Sequence, residues 1–252
     1  MHLDPEALDA SLRMLSHPPR EADLQRALGK VVTAVHRLFD CDGAGLMFAD
    51  GNGVLRYVTA TDETGRRLEV SQAELGEGPC VDAYVHGKVV ACRDVTEDSR
   101  WPALAAVLQN GDGPQGTGAP HGAVRGMMGA PVRLSGTPIG CLNLHAHGPR
   151  EWDESDLHGL PAYAELIEET IAAALAAEHT SSLARQLEYA LRNRVMIERA
   201  VGFLMADRGL DSSQAFDHLR GRARSSRRRT VHVAAELLGE ELPKEADRPP
   251  VS

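Results

Sequence analysis

The sequence predicts an α+β protein in which an antiparallel sheet with helices is followed by a long connecting helix and an all-helical C-terminal region. Three observations support this fold class. Short apolar runs are paired around turn residues, residues 162–201 contain neither glycine nor proline, and residues 180–238 carry helical apolar spacing. The regular alternation of strands and helices that a doubly wound parallel sheet requires is not evident.

A helix is predicted ahead of the sheet, because apolar residues recur at three- and four-residue spacing. They are Leu24, Leu28, Val31, Val32, Val35, Leu38 and Phe39. Two apolar runs, 44–49 and 54–61, follow this helix and flank the turn sequence DGNG at 50–53. Glycine and asparagine tolerate the positive φ of tight turns, so the two runs are predicted to form a β-hairpin.

Three more strands are predicted further along the chain. Residues 126–134 and 137–147 pair around Ser135-Gly136, and residues 88–95 form a shorter strand. Residues 110–122 are rich in glycine and proline and are predicted to hold no regular element. Along the chain, the predicted elements are one helix, five or six strands and then helices. This order predicts an antiparallel sheet covered by helices on one face.

The segment after Trp152 is predicted to be helical over an unusual length. Asp153 is a suitable N-cap, and a continuous helix over 162–201 would span about 60 Å, more than a small domain covers. Its apolar stripe then needs a second surface, which a coiled-coil homodimer supplies. Two helices joined by a kink at 179–182 are the alternative. The stripe consists of Leu183, Leu187, Leu191 and Val195.

Three helices are predicted for the C-terminal region. Gly209 ends the long helix, Asp211 or Ser212 caps a second helix, and Thr230 caps a third. The arginine-rich segment lies between the second and third helices.

Charge is unevenly distributed along the chain. Residues 180–238 carry 11 Arg against 6 Asp and Glu, a net charge of +5, whereas residues 1–179 carry 14 basic and 26 acidic side chains, a net charge of −12. Clustered arginine is typical of anion or nucleic-acid surfaces, and a solvated face is the simpler alternative. Five arginines fall within eight positions: Arg222, Arg224, Arg227, Arg228 and Arg229.

No catalytic constellation and no metal site are predicted. Residues 111–116 match the spacing GxGxxG, but they follow no predicted strand and contain Pro114, so a flexible loop is favoured over a dinucleotide site. His145 and His147 share one face of a strand without an evident third metal ligand.

Two cysteines are candidates for redox or ligand sensing. Cys80 lies in the turn sequence GEGPC at 76–80, where clustered backbone amides would lower the thiol pKa, and Cys92 is twelve residues away. The alternative for both is a small buried hydrophobic side chain.

The composition predicts a cytoplasmic globular protein without a membrane helix. The first ten residues lack the basic-then-apolar order of a signal peptide, and no apolar run approaches the roughly 20 residues that a membrane helix needs. The four cysteines are not clustered as in a disulfide scaffold.

A family resemblance rests on motifs in residues 187–238. They are Ala190-Leu191, Arg194, Ile197-Glu198, Ala200-Val201-Gly202, Leu204-Met205, Ala215-Phe216, Leu219-Arg220 and Val233-Ala234. In order and spacing they resemble the ANTAR domain, a three-helix module that binds RNA and acts in transcription antitermination. The usual Ala-Lys-Gly is Ala-Val-Gly here, and arginines replace a usual stretch with polar amides. The first departure removes one cation, and the second keeps positive charge but loses hydrogen-bonding amides, so both bear on RNA sequence preference.

The acidic part of the chain carries a second resemblance. Its motifs are Gly76-Glu77-Gly78-Pro79-Cys80 with Ala83, Val89-Val90, Asp94-Val95, Val132 and Ile139-Gly140-Cys141-Leu142-Asn143-Leu144. They resemble a GAF domain of the kind that precedes ANTAR domains in actinobacterial regulators. The implied organisation is an N-terminal lead (1–19), a GAF-like sensor (20–178), an ANTAR-like RNA-binding domain (180–240) and an acidic, proline-containing tail (241–252).

Together the resemblances imply a non-enzymatic transcription antiterminator. A signal sensed by the GAF-like domain would change how a homodimer presents two ANTAR domains to RNA hairpins in nascent transcripts. No cofactor is identified, and the signal is either a small-molecule effector or thiol redox state. The candidate RNA-binding residues are Arg194, Arg220, Arg222, Arg224, Arg227, Arg228 and Arg229.

Two other functions are weighed against this one. A DNA-binding helix-turn-helix would need a polar recognition helix, but residues 231–238 offer only His232 and Glu236. A thiol enzyme is the other alternative, since one family of methionine-sulfoxide reductases has the GAF fold. It would need Cys80 or Cys92 to be a nucleophile of low pKa.

Overall fold

The computed structural model describes residues 6, 11, 24–110, 124–176, 182–240 and 242, without the side chains of residues 110 and 182–186. The chain divides into two compact units. The first comprises Met1–Phe48 and Leu55–His179, and the second comprises Ala49–Val54 and Thr180–Ser252. Most of the predicted lead, residues 111–122 of the glycine-rich segment and most of the tail lie outside the described residues.

The described part of the first unit is a five-stranded sheet with helices. The helices are α1 (Leu24–Leu38), α2 (Glu63–Leu75), α3 (Pro79–His86), α4 (Pro102–Asn110) and α5 (Glu154–Ala176). The strands are β1 (Gly43–Ala49), β2 (Leu55–Ala60), β3 (Val90–Cys92), β4 (Gly126–Leu134) and β5 (Thr137–Ala146). The strand order is β2-β1-β5-β4-β3, and β1 with β5, β5 with β4, and β4 with β3 pair in antiparallel register.

Helices cover both faces of this sheet, so the prediction of a single covered face is wrong. All seven residues of β1 are buried, and so are the last eight of β5. Successive side chains of a strand point to opposite faces, and unbroken burial therefore requires two covering layers. Helices α3 and α5 both pack against β4, and α1 packs against α5.

The elements with a clear apolar pattern are confirmed. Helix α1, both hairpins and the start of α5 lie within one or two residues of the predicted bounds, whereas β3 is three residues long instead of the predicted eight. Asp153 caps α5, because its Oδ1 accepts from the backbone N–H groups of Ser155 and Asp156 at 2.8 and 3.0 Å. The β4–β5 turn uses positive φ at Ser135 and Gly136, 51° and 80°.

Helices α2 to α4 interrupt the strands and were not predicted. The inward face of α2 carries Glu69, Ser71 and Gln72, all buried, so the helix has no continuous apolar stripe to read in the sequence. Helix α3 is only eight residues long and begins at Pro79, inside the sequence that was interpreted as a turn. Proline is well suited to the first position of a helix because it lacks a backbone N–H.

The second unit contains three packed helices. They are α6 (Ser182–Arg208), α7 (Ser212–Ser225) and α8 (Thr230–Leu238), and each packs against the other two. Their core consists of Leu187, Ala190, Ile197, Ala200, Val201, Leu204, Ala215, Phe216, Leu219, Val231, Ala234 and Ala235. Small side chains dominate this list, which allows the helices to pack closely.

The apolar residues of α6 differ in exposure. Leu187 is buried, whereas Val195 is 41% exposed, because a four-residue spacing drifts around a helix of 3.6 residues per turn. The coiled coil stays a prediction. Whether α5 and α6 form one continuous helix depends on residues 177–181, which lie outside the described part of the chain.

The helix ends of the second unit follow the predicted residues with one exception. Helix α6 ends before Gly209, whose φ is 66°, and Asp211 caps α7 in a reciprocal capping box with Gln214. The N-cap of α8 is Arg229 rather than Thr230, which is the first helical residue. Among the described helices, none is both long and apolar enough to cross a bilayer.

Gly140 is predicted to be indispensable for the pairing of β1 with β5. A Cβ at this position would collide with the carbonyl oxygen of Met47 and the ring of Phe48. We expect Gly140→Ala to lower the free energy of unfolding by roughly 2–3 kcal/mol, because backbone cannot move aside as a side-chain tip can. Urea denaturation measures the change, and Gly148→Ala, with open space around it, is the control.

If Gly140→Ala unfolds at the same urea concentration as wild type, the register of β1 against β5 is not as described.

Candidate nucleic-acid interface and buried polar site

The arginine-rich segment closes α7 with a tight turn. The backbone N–H of Arg228 donates to the carbonyl of Ala223 at 3.0 Å, and that of Arg227 donates to the carbonyl of Arg224 at 3.1 Å. Arg227 adopts a left-handed backbone with a φ of 51°. These features define a Schellman-type helix end, which satisfies carbonyls that the last turn of the helix leaves unpaired.

Arginine is an unfavourable residue for the left-handed position of this turn. Glycine is the usual residue there, because a Cβ makes a left-handed conformation cost roughly 1–2 kcal/mol. The Arg227 side chain is exposed and makes no ion pair within the described residues that would offset the cost. The backbone turn therefore does not explain why arginine occupies this position.

Two arginines of the segment face a carboxylate on α8. Arg228 forms a hydrogen-bonded ion pair with Glu236, and Arg222 Nη2 lies 3.9 Å from Glu236 Oε1. The hydrogen bond from Arg228 lowers the pKa of Glu236, and the charge of Arg222 adds to the effect. The side chains of Arg222, Arg228 and Glu236 are 41%, 43% and 53% exposed, so water screens these pairs.

Arg224 and Arg227 are exposed, and neither forms an ion pair within the described residues. Together with Arg222 and Arg228 they make a cationic patch at the C-terminal end of α7, called the arginine surface below. The C-terminal end of a helix dipole attracts cations, which favours this placement.

The remaining arginines predicted to bind RNA lie in less open positions. Arg229 is half-buried, donates from Nη1 to the hydroxyl of Tyr189 at 3.1 Å and lies 5.8 Å from its ring centroid. The guanidinium of Arg220 lies 5.7 Å from the ring centroid of Phe216. These contacts orient both guanidinium groups by cation–π attraction.

Arg194 is a core residue. Only 2% of it is exposed, its guanidinium lies 5.3 Å from the ring centroid of Phe216, and it forms an ion pair with Glu198. A guanidinium enclosed in this way stabilises the packing of α6 on α7 and is not presented to a ligand. The expectation that Arg194 contacts RNA is therefore not supported by its position.

The first unit encloses a polar site between α2 and the sheet. Asn143 Nδ2 donates to Glu69 Oε1 and to the carbonyl of Gly45, 3.1 Å away. A Cβ at Gly45 would collide with Glu69 Oε1, so the glycine makes room for the carboxyl group. Among the described residues, Glu69 Oε2 and Asn143 Oδ1 are buried without a hydrogen-bond partner. Burial raises the pKa of Glu69 to about 8.

His145 extends this buried polar site along β5. Neither ring nitrogen has a hydrogen-bond partner among the described residues, and Asp62 Oδ2 lies 3.8 Å from Nε2. Burial lowers the pKa of His145 to about 4, so the ring is neutral at pH 7 and the contact with Asp62 is not an ion pair. In the described residues, no three His, Cys, Asp or Glu side chains are grouped to hold a metal.

Cys80 is a buried thiol of raised pKa, and the predicted low pKa is wrong. Burial raises its pKa well above the usual value, and the neighbouring Cys141 raises it further. Gln72 holds it through two contacts, from Nε2 to Sγ at 3.3 Å and from the Cys80 N–H to Oε1 at 3.0 Å. Desolvation outweighs the hydrogen bond from Gln72, which lowers the pKa of Cys80.

Cys92 is also a poor nucleophile. Its Sγ donates to Asp98 Oδ2 at 3.2 Å, and burial followed by this hydrogen bond raises its pKa to about 12. The thiol next to Cys80 is Cys141 on β5 rather than Cys92. Sequence distance gave no signal for this proximity, since it arises where α3 packs against β5, far away in the chain.

Comparison with protein-family models matches both units. A GAF domain model matches residues 23–171, more than half of the chain, and an ANTAR domain model matches residues 185–238. The chain belongs to the GAF family and carries an ANTAR domain. Both resemblances inferred from the motifs are confirmed, as is the α+β fold class. No curated protein matches the chain.

Solved structures with this fold align with the GAF domain. The free methionine-R-sulfoxide reductase from Neisseria meningitidis is 18% identical, with a TM-score of 0.51 over 68% of this chain and 90% of that one. The GAF domain of a phosphoenolpyruvate-protein phosphotransferase from Coxiella burnetii is 16% identical, with a TM-score of 0.52 over 69% and 95%. Identities this low show the fold alone.

Glu69 is predicted to make the GAF domain less stable as pH rises. Its folded pKa of about 8 exceeds the usual 4.5, so between these values the folded protein holds a proton that the unfolded chain has released. The contribution of Glu69 to the free energy of unfolding is complete below pH 4.5 and falls as pH rises towards 8. At pH 7 the loss is about 3 kcal/mol. Glu69→Gln removes this loss.

Thermal unfolding of wild type and Glu69→Gln between pH 5 and 8 measures the difference. We expect Glu69→Gln to gain stability over wild type as pH rises, whereas Glu74→Gln, an exposed residue of the same helix, tracks wild type. Parallel stability curves for wild type and Glu69→Gln would show that Glu69 is ionised in the folded protein.

Proposed function

We propose that this protein is a signal-responsive transcription antiterminator, in which the GAF domain controls RNA binding by the ANTAR domain. The combination of a GAF sensor with an ANTAR domain fits a signal-responsive RNA-binding regulator. The observation that carries the proposal is the arginine surface, formed by Arg222, Arg224, Arg227 and Arg228 at the end of α7.

The chemistry of the arginine surface suits a folded RNA. A guanidinium offers a planar set of donors that bind phosphate in a bidentate manner and stack on unpaired bases, which an RNA hairpin presents in its loop. The segment also keeps arginine at the left-handed position of Arg227, where glycine would cost less. We attribute this costly residue to a requirement for charge at the turn.

The other arginines of the domain that were predicted to bind RNA are assigned different roles in the proposal. Arg229 and Arg220 are held against aromatic rings at the edge of the arginine surface and support phosphate contacts. Arg194 is assigned to the core of the three helices because it is buried.

The structure gives the DNA-binding alternative no support. A helix that enters the major groove must expose side chains along its length. Helix α8 buries Val231, Val233, Ala234 and Ala235, and beyond Thr230 its only polar side chains are His232 and Glu236, too few to read base edges.

The GAF domain is proposed to sense the signal without catalysing a reaction. Cys80 and Cys92 have raised pKa values, which disfavours the thiolate that a reductase of this fold would need. The unpartnered atoms of Glu69, Asn143 and His145 offer buried donors and acceptors to a small uncharged polar effector. We therefore favour a small-molecule signal over thiol redox state.

A homodimer is proposed as the form that presents two ANTAR domains. Helix α6 leaves three large apolar side chains exposed, Val195, Phe203 and Met205. Contact with a second copy would remove this apolar surface from water.

Binding to RNA is expected to be strongly dependent on salt and on the arginine surface. Engagement of about five phosphates of unpaired RNA predicts a log–log slope near −3.5 for affinity against salt concentration. Arg227→Gly should weaken hairpin binding roughly three- to tenfold at low salt while keeping stability equal or raising it by up to about 1 kcal/mol. Fluorescence anisotropy and urea denaturation measure the two effects.

Arg192→Gln, which removes a cation of α6 outside the arginine surface, is the matched control. The proposal fails if wild type binds no structured RNA at low salt, or if Arg227→Gly and Arg192→Gln lower the affinity equally.

Native mass spectrometry tests the dimer and the effector together. The chain has a mass of 27.1 kDa, so a homodimer is expected at twice this value, with any retained effector as a discrete mass increment. Asn143→Ala should lose the increment and keep the dimer. A spectrum that holds the monomer alone, at micromolar concentration, would refute the homodimer.

A further inference from the structure

We propose that Glu236 is the internal competitor of the RNA-binding surface: it occupies Arg222 and Arg228 in the free protein, and RNA phosphates displace it on binding. This inference rests on the proposed RNA-binding function. It adds a residue that lowers the affinity of the surface for anions and weakens the binding of ligands that carry few negative charges. Nothing in the family motifs identified above includes Glu236.

The geometry supports competition at the same atoms. Arg228 Nη1 donates a hydrogen bond to Glu236 Oε2, and Arg222 Nη2 lies 3.9 Å from Glu236 Oε1. One carboxylate therefore lies next to two guanidinium groups. Carboxylate and phosphate bind guanidinium groups through the same planar arrangement of donors. A phosphate that binds the nitrogen atoms of Arg222 and Arg228 that face Glu236 therefore takes the place of a Glu236 oxygen.

The exposure of these groups makes displacement inexpensive. Arg228 is 43% and Glu236 is 53% exposed, and exposed ion pairs contribute little to stability. In contrast, Arg199 pairs with Glu240 away from the patch and joins the end of α8 to α6. Within the described residues, Glu236 is thus the carboxylate that pairs with arginines of the surface, whereas Glu240 pairs with Arg199 of α6.

Because Glu236 lies at the arginine surface, a ligand must bring several phosphates close together in order to bind there. A negative charge beside Arg222 and Arg228 lowers the attraction of the arginine surface for any anion, most of all for a ligand that carries only one or two charges. A folded RNA that brings several phosphates together overcomes this loss of attraction, whereas a weakly charged ligand does not.

The test compares RNA binding by wild type, Glu236→Gln and Asp217→Asn, using a synthetic RNA hairpin with a randomised loop. Asp217 is an exposed carboxylate of α7 that pairs with none of the four arginines of the surface, so Asp217→Asn changes the net charge equally. We expect Glu236→Gln to bind roughly three- to tenfold tighter at low salt, with the gain shrinking as salt rises, and Asp217→Asn to change affinity less than about twofold.

A double-mutant cycle locates the effect. Glu236→Gln introduced into the Arg222→Ala/Arg228→Ala protein should change affinity less than about twofold, because the groups that it releases are absent. Thermal unfolding of every variant checks that the three helices remain folded, and Glu236→Ala provides a second substitution.

The outcomes separate this inference from the proposed function. If wild type binds the hairpin and Glu236→Gln binds no tighter than Asp217→Asn, or binds more weakly, Glu236 is not a competitor and the inference is overturned. An equal gain in the Arg222→Ala/Arg228→Ala protein overturns it as well. If no variant binds the hairpin at low salt, the proposed RNA-binding function fails and the inference fails with it.

Discussion

Desolvation by two helical layers is the constraint on which the chemistry of the GAF domain depends. Because helices cover both faces of the sheet, Asn143 and His145 on β5, Glu69 on α2 and Cys80 on α3 are all removed from water. That single fact sets the protonation of the site: Glu69 is protonated, His145 is neutral, and the thiol of Cys80 is not ionised. The interior therefore offers hydrogen bonds without formal charge.

A neutral polar interior limits what the GAF domain can bind and do. Charged ligands would require an opposite charge in the site, and among the described residues the groups inside it are held in their uncharged forms. Nucleophilic chemistry would require a thiolate, which the raised pKa values of Cys80 and Cys92 disfavour. These conditions favour the proposed sensor, which would recognise shape and hydrogen bonding, over a thiol enzyme.

The ANTAR domain presents the opposite electrostatic situation. The arginine surface lies around one helix end and one turn, in water, where an exposed ion pair contributes little to stability. Arg194 and Arg228 show how position decides role: one guanidinium is enclosed against Phe216 and the other is exposed beside Glu236. Arg194 therefore contributes to packing, whereas Arg228 is available to bind a ligand.

Apolar periodicity, turn residues and charge clusters are local properties of the chain, and they were enough to predict the fold class, both domain families, the hairpins and the arginine cluster. They did not reveal α2, because buried Glu69 and Gln72 interrupt the apolar stripe that marks a helix. The contacts of the folded chain were needed to show that Arg194 is a core residue, that Cys80 lies beside Cys141, and that Glu236 faces Arg222 and Arg228. Burial and partnership depend on residues distant in the chain, and no local pattern encodes them.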